Sequence, residues 1–283
     1  MLEDERESQN IEDRRGMSGG RMAIGGGGCF TLVIALVIFI AGGNPLRYLQ
    51  QQAQQDGVQV GQNQPIQTNP QEEKEKSYMQ RVLATTEDAW GAILPKQAGR
   101  KYTDPVLVLY RNSTPTACGT GESGMGPFYC PGDQKLYLDM AFFDELKNEF
   151  KAPGDFAKAY VVAHEVGHHV QNLLGTMDKV QALQQRVGEV QSNQLSVRLE
   201  LQADCYAGVW ANYVQKNNKG IEISNIQEAL RAAQAVGDDM IQRRTQGYVV
   251  PESFTHGSAK DRMTWFTNGY KTGDIRQCNT FGR

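Results

Sequence analysis

Three of the four histidines in this chain stand together, in His164-Glu165-Val166-Gly167-His168-His169. Residues four apart share one face of an α-helix, so the imidazoles of His164 and His168 can reach a single ion. Glu165 lies between them, close enough to work without ligating. A carboxylate there can act as general base toward a water activated by the metal, which is chemistry suited to hydrolysis of a peptide bond. His169 sits about a hundred degrees round the helix from His168. It is expected to pack or hydrogen-bond rather than to bind metal.

Two imidazoles do not complete such a site. A catalytic zinc takes three protein ligands and keeps one position open. The best downstream source is Glu200-Leu201-Gln202-Ala203-Asp204. Glu200 and Asp204 share a helix face. Glu200 is the expected third ligand. Asp204 is expected to accept a hydrogen bond from the far ring nitrogen of His164, fixing its tautomer and raising its basicity. Ala203, Ala207 and Gly208 are small enough to let the two helices approach closely.

The pattern H-E-x-x-H with a later E-x-x-x-D is similar to the gluzincin class of zinc peptidases. The wording A-H-E-V-G-H-H-V-Q, then R-L-E-L-Q-A-D-C-Y-A-G-V-W, then F-T-H-G-S, resembles the bacterial family of predicted neutral zinc metallopeptidases. The likeness runs across most of the chain, including an N-terminal E-D-R-R and the stretch Gln277-Cys278-Asn279-Thr280-Phe281-Gly282. It implies a membrane-anchored peptidase of zincin-like fold holding one Zn2+ and acting on a protein or peptide. It supplies no particular substrate. The gluzincin analogy also implies a residue that steadies the oxyanion in the transition state. His256, in Thr255-His256-Gly257-Ser258, is the first choice and Arg262 the second. Tyr206 and Tyr248 are weaker substitutes.

These residues need elements to hold them. Met79, Val82, Leu83, Thr86, Trp90 and Ile93 follow helical spacing, with Pro95 expected to end the run. Residues 105–110 are β-branched and apolar, as in a central strand. Phe128-Tyr129 and Lys135 to Leu138 flank a Pro-Gly-Asp turn and suggest a hairpin, an edge that an extended substrate could join by strand addition. The Gly-rich stretch 119–127 reads as a lid or a connector. Helices are expected at 156–174, 177–190, 194–216 and 223–243, the first with Asp155 as N-cap and Gly175 as its stop. A few strands followed by many helices make the fold class α+β, helix-dominated.

The 283 residues suit one sizeable domain with accessory segments. A net charge of −3 gives no basic face, so nucleic acid is not an expected partner. No charged residue falls between Met22 and Gly42, and Cys29 to Ile40 is almost wholly apolar. That run is long enough to cross a bilayer, with a cleaved export signal as the rival reading. Arg14, Arg15 and Arg21 precede it, and Arg47 stands alone after it until Lys74, which orients the N-terminus to the cytoplasm. The expected layout is a cytoplasmic tail at 1–21, a transmembrane helix at 22–42, a flexible polar linker at 43–76 and a catalytic domain at 77–283. The domain would lie on the outer side of a bacterial inner membrane.

Of the five cysteines, Cys29 falls in the apolar run and is expected only to pack. In an exported domain the other four suit two disulfides, Cys118–Cys130 and Cys205–Cys278 being the first choice of three connectivities. Free buried thiols are the other reading. Two functions therefore stand open: an active membrane-tethered zinc peptidase, or a catalytically silent zincin-fold scaffold with a structural metal. An intact Glu165 favours the first. The oligomeric state is not legible.

Overall fold

A computed structural model describes residues 2–16, 69–217 and 222–282. The expected transmembrane helix at 22–42, and the expected linker up to residue 68, lie outside the described residues. Among the described residues no helix is long and apolar enough to cross a membrane. The chain divides into two compact units, Met1–Arg14 with Thr68–Arg283, and Arg15–Gln67. The first holds every element named below.

Its sheet contains β1 (Ile11–Asp13), β2 (Val106–Tyr110), β5 (Phe128–Cys130) and β6 (Lys135–Asp139), in the order β1-β2-β6-β5. The first three neighbours run parallel, and β5 pairs antiparallel to β6 as the expected hairpin. The central position of β2 explains its unbroken apolar sequence. Leu107 and Leu109 face the main core, while Val108 and Tyr110 face a smaller cluster with Cys130 and Tyr137. A separate hairpin, β3 (Ser113–Thr116) with β4 (Gly119–Glu122), takes up the first part of the Gly-rich stretch.

The helices are α1 (Pro70–Ala98), α2 (Phe142–Asn148), α3 (Asp155–Leu173), α4 (Thr176–Gln184), α5 (Glu189–Lys216), α6 (Ile223–Ala235), α7 (Asp238–Thr245) and α8 (Ala259–Thr272). The helix-dominated α+β class is thus observed. Around α3 the core is aromatic: Phe156 stacks on Trp210 with ring centroids 5.5 Å apart, and Trp90 meets Tyr206 edge-on at 5.5 Å.

Several boundaries differ from expectation for local reasons. The helix α1 starts at Pro70, where the Asn69 side chain accepts from Glu72 N–H at 2.8 Å, and not near Ser77. It runs through Pro95 to Gly99, because a proline one turn from the end forfeits little of the helix ladder. Asp155 is the first helical residue of α3 rather than its cap. The carboxylate of Glu228 on α6 accepts from Phe156 N–H at 3.0 Å in that role. The helix expected at 223–243 breaks at Gly237, where a Cβ would lie 2.4 Å from Ala259 N, so only glycine lets the start of α8 pack there.

The largest difference concerns the N-terminus. Residues 2–14, expected within a separate tail, are built into the domain. Leu107 N–H donates to Asn10 O at 2.9 Å and Arg14 N–H to Leu109 O at 2.7 Å, flanking β1. A polar three-residue strand carries no alternation by which to be noticed.

Candidate metal centre

The side chains of His164, His168 and Glu200 converge, with one ligand atom from each within 4.8 Å of the others. Glu200 Oε2 is 3.1 Å from His164 Nε2, and Glu200 Oε1 is 3.3 Å from His168 Nε2. A tetrahedron with metal–nitrogen bonds of ~2.0–2.1 Å has edges of about 3.3 Å. Two imidazole nitrogens and a carboxylate so placed could hold a metal ion, in keeping with the zinc expected from the sequence.

The convergence depends on how α3 and α5 meet. Gly167 lies between the two histidines and faces Ala203 on α5, where a Cβ would stand 2.9 Å from Ala203 O. That contact sets Glu200, three residues earlier, beside the imidazoles. Ala203 is therefore one of the small residues at the crossing, whereas Gly208 packs against the backbone of Phe266 on α8.

Behind the ligands lies a buried polar layer. His164 Nδ1 is 2.9 Å from Asp204 Oδ1, which fixes Nε2 as the free ligand atom. Asp204 is fully buried and also accepts from Tyr160 Oη at 2.5 Å, Arg262 Nε at 2.8 Å and Arg262 Nη2 at 3.1 Å. His168 Nδ1 is 2.9 Å from Gln171 Oε1, and the Gln171 amide donates to Leu199 O and Gln202 Oε1. Gln202 in turn donates to Cys278 O. The Cys205–Cys278 disulfide ties α5 to that C-terminal turn, and Cys118–Cys130 closes the other expected pair.

The electrostatics follow from this enclosure. Burial works against charge on Asp204, but the Arg262 guanidinium and His164 outweigh it and hold the carboxyl below its usual value. Burial likewise opposes charge on Glu200, yet His168 and His164 keep it well below the carboxylate range. On His164, burial is outweighed by Asp204 and Glu200, which push the imidazole up to about 10. The cluster thus attracts positive charge strongly, whether proton or metal, and the two compete.

A cleft of about 560 Å³ opens onto these atoms. Glu165 lines it, 9% exposed, and burial raises its pKa. Among the described residues it makes no hydrogen bond, so its carboxylate is uncommitted. His256 lines the same cleft, half exposed on its loop. Its Nδ1 is 3.1 Å from Asp238 Oδ1 and also 3.1 Å from Thr255 Oγ1, while Asp238 Oδ2 accepts from the backbone N–H groups of Thr255, His256 and Gly257. The Asp238 hydrogen bond raises the His256 pKa despite burial.

The remaining expected residues sort out clearly. Arg262 faces the cleft but is 4% exposed, and its guanidinium is spent on Asp204, Tyr160 and Val236 O. This corrects its expected part as a stabiliser of the reacting atoms: it positions Asp204. Tyr206 is buried against Trp90, and Tyr248 is 62% exposed outside the cleft, so neither lines the cleft. His169 is structural, with Nε2 2.7 Å from Thr103 O and Nδ1 3.1 Å from Tyr129 Oη, and so fastens the edge strand β5 to α3. Residues 124–127 form part of the cleft rim.

Sequence reasoning missed Tyr160, Gln171 and Asp238. The first two carried a usable signal, since Tyr160 lies four residues before His164 and Gln171 three after His168, on the same helix face. Asp238 carried none, because the break at Gly237 that exposes it to the 255–257 loop is a tertiary event.

Comparison with known proteins agrees with this geometry. The model of a family described as "Putative neutral zinc metallopeptidase" matches residues 1–281. The chain is 47% identical to the uncharacterized protein YpfJ of Escherichia coli strain K12, over 98% of this chain and 97% of that one. It is also 47% identical to the uncharacterized proteins Mb2605 of Mycobacterium bovis and Rv2575 of Mycobacterium tuberculosis, over 71% of this chain and 70% of each relative. No solved structure matches. With a His-His-Glu cluster in a cleft and a family match over almost its full length, the chain belongs to the putative neutral zinc metallopeptidases.

Proposed function

We propose that this protein is a zinc-dependent endopeptidase, with one ion held by His164, His168 and Glu200 and with Glu165 as general base and acid. A zinc ion so bound would lower the pKa of a water toward ~7 and polarise the substrate carbonyl. Glu165 takes the proton of the attacking water and returns it to the leaving amine. His256, held by Asp238, donates to the negative charge that develops on the carbonyl oxygen. Asp204, Tyr160 and Arg262 do not touch the reacting atoms; they hold His164 in one tautomer and one orientation.

The observation that carries this reading is the uncommitted, buried Glu165 beside the ligand cluster and open to the same cleft as His256. A structural metal site has no use for such a carboxylate. β5 is an edge strand whose Phe128 and Tyr129 line the cleft, which supports binding of an extended peptide by strand addition. Phe142, Phe150, Val161 and Ile241 give the cleft an apolar wall, favouring an apolar side chain beside the scissile bond.

The test is digestion of a peptide library by the full chain and by Glu165→Gln. Cleavage should be confined to the parent, at bonds flanked by apolar residues. Equal cleavage by both proteins would exclude Glu165 as the base. No cleavage by either would favour a zincin-fold scaffold with a structural metal.

A further inference from the structure

The segment from residue 2 to residue 14 runs along α1 and joins the sheet as β1, and its contacts are those of an integral part of the fold. Leu2 is 3% exposed and belongs to the main core. Ser8 N–H donates to Gln80 O at 3.1 Å, and Gln80 Nε2 returns a bond to Ser8 O at 3.2 Å. Glu87 of α1 is buried, and it accepts from Ser8 Oγ at 2.5 Å, Asn10 Nδ2 at 2.8 Å and Arg6 Nη2 at 2.8 Å. A buried carboxylate is tolerated only when so partnered. Acidic residues of the segment meet basic residues of the domain in Asp13–Lys76, Glu7–Arg81 and Glu12–Lys135. Exposed pairs of this kind stabilise little, so backbone pairing, Leu2 and Glu87 carry most of the docking.

The apolar run Cys29–Ile40 lies between this segment and α1 in the sequence. One bilayer crossing there would hold residues 2–14 and the catalytic domain apart by ~30 Å of hydrocarbon, and every contact above would be lost. The cationic flank that oriented the run is also partly accounted for otherwise. The Arg14 guanidinium is bonded to Glu12, to Thr114 Oγ1 at 3.0 Å and to Pro115 O at 2.9 Å. Its charge thus serves the fold.

The geometry points to an N-terminal segment that lies on the same side of the membrane as the catalytic cleft. This replaces the arrangement of cytoplasmic tail and outer domain expected from charge alone. It stands independently of whether the protein is a peptidase.

The test uses the full chain with Cys29→Ser, carrying either Glu3→Cys or Lys101→Cys, both at exposed positions outside the described contacts. A membrane-impermeant maleimide is applied to intact spheroplasts and to lysed ones. The two thiols should behave alike, both reacting before lysis or both only after it. Reaction of one before lysis and the other only after would overturn the proposal. A second variant, Asp13→Cys with Lys76→Cys, should be joined within one chain by a short bifunctional thiol reagent in native membranes. Modification of both thiols without a crosslink would overturn it as well.

Discussion

At the ligand end of the cleft both ligand imidazoles are backed by another buried group. His164 rests on Asp204, Asp204 on Tyr160 and Arg262, His168 on Gln171, and Gln171 on Gln202. Lining the same cleft, His256 stands half exposed on a loop, held through Asp238 and its neighbour Thr255. The first arrangement joins three helices and is inseparable from the core. The second can be loosened without touching the core. Metal geometry and fold stability should therefore fail together, whereas the corner around His256 should fail alone. A loop-borne group also retains the freedom to close on a substrate after it binds.

Four variants break or sharpen that contrast. Glu165→Gln should lower kcat by about 10²–10⁴-fold with zinc content and Tm unchanged, as expected for loss of a general base. Steady-state kinetics with metal analysis checks it. His256→Ala should lower kcat by about 10²–10³-fold, again without loss of zinc and with only a small fall in Tm. A large fall in Tm there would show that the corner is structural after all. Asp204→Ala should behave in the opposite way. It leaves the Arg262 guanidinium buried without its main partner, a cost of about 3–5 kcal/mol. It should also weaken zinc binding by about 10–100-fold, both read from thermal melts and competition with a chelator.

Asp238→Asn should have the smallest effect at neutral pH and shows itself mainly in the pH profile. The hydrogen bond that His256 donates to Asp238 raises the His256 pKa above the ordinary imidazole value. A protonated His256 then persists to higher pH, and activity falls as pH rises through that value. Removing the carboxylate should move this alkaline limb to lower pH. Stability follows the same sign. The contribution of His256 is complete below an unfolded-state pKa of about 6.5 and is lost as pH rises through the higher folded-state value. An unmoved limb in Asp238→Asn would separate His256 from the profile.

The contrast also marks what was legible in the sequence. The ligand end was, because its parts recur at helical spacing: His164 with His168, and Glu200 with Asp204. So were the β5–β6 hairpin, the central strand and the disulfide pairing. The supporting layer was legible only in principle, since Tyr160 and Gln171 share a helix face with the histidines but carry no pattern of their own. The corner around His256 was half legible. His256 was noticed as the last histidine, while Asp238 depends on the helix break at Gly237, which only the approach of Ala259 explains. The role of residues 2–14 could not be read, because their partners Glu87, Leu107 and Lys135 lie on distant parts of the chain and a short polar strand gains its order from those partners alone.

The central claim is a single ion gripped by side chains from α3 and α5. It is tested most directly by zinc stoichiometry of the purified full chain, alongside Glu165→Gln and Glu200→Ala. The account predicts one zinc per chain in the parent and in Glu165→Gln, and essentially none in Glu200→Ala. Undiminished zinc in Glu200→Ala, or a parent protein that holds no stoichiometric metal after equilibration with zinc, would contradict it.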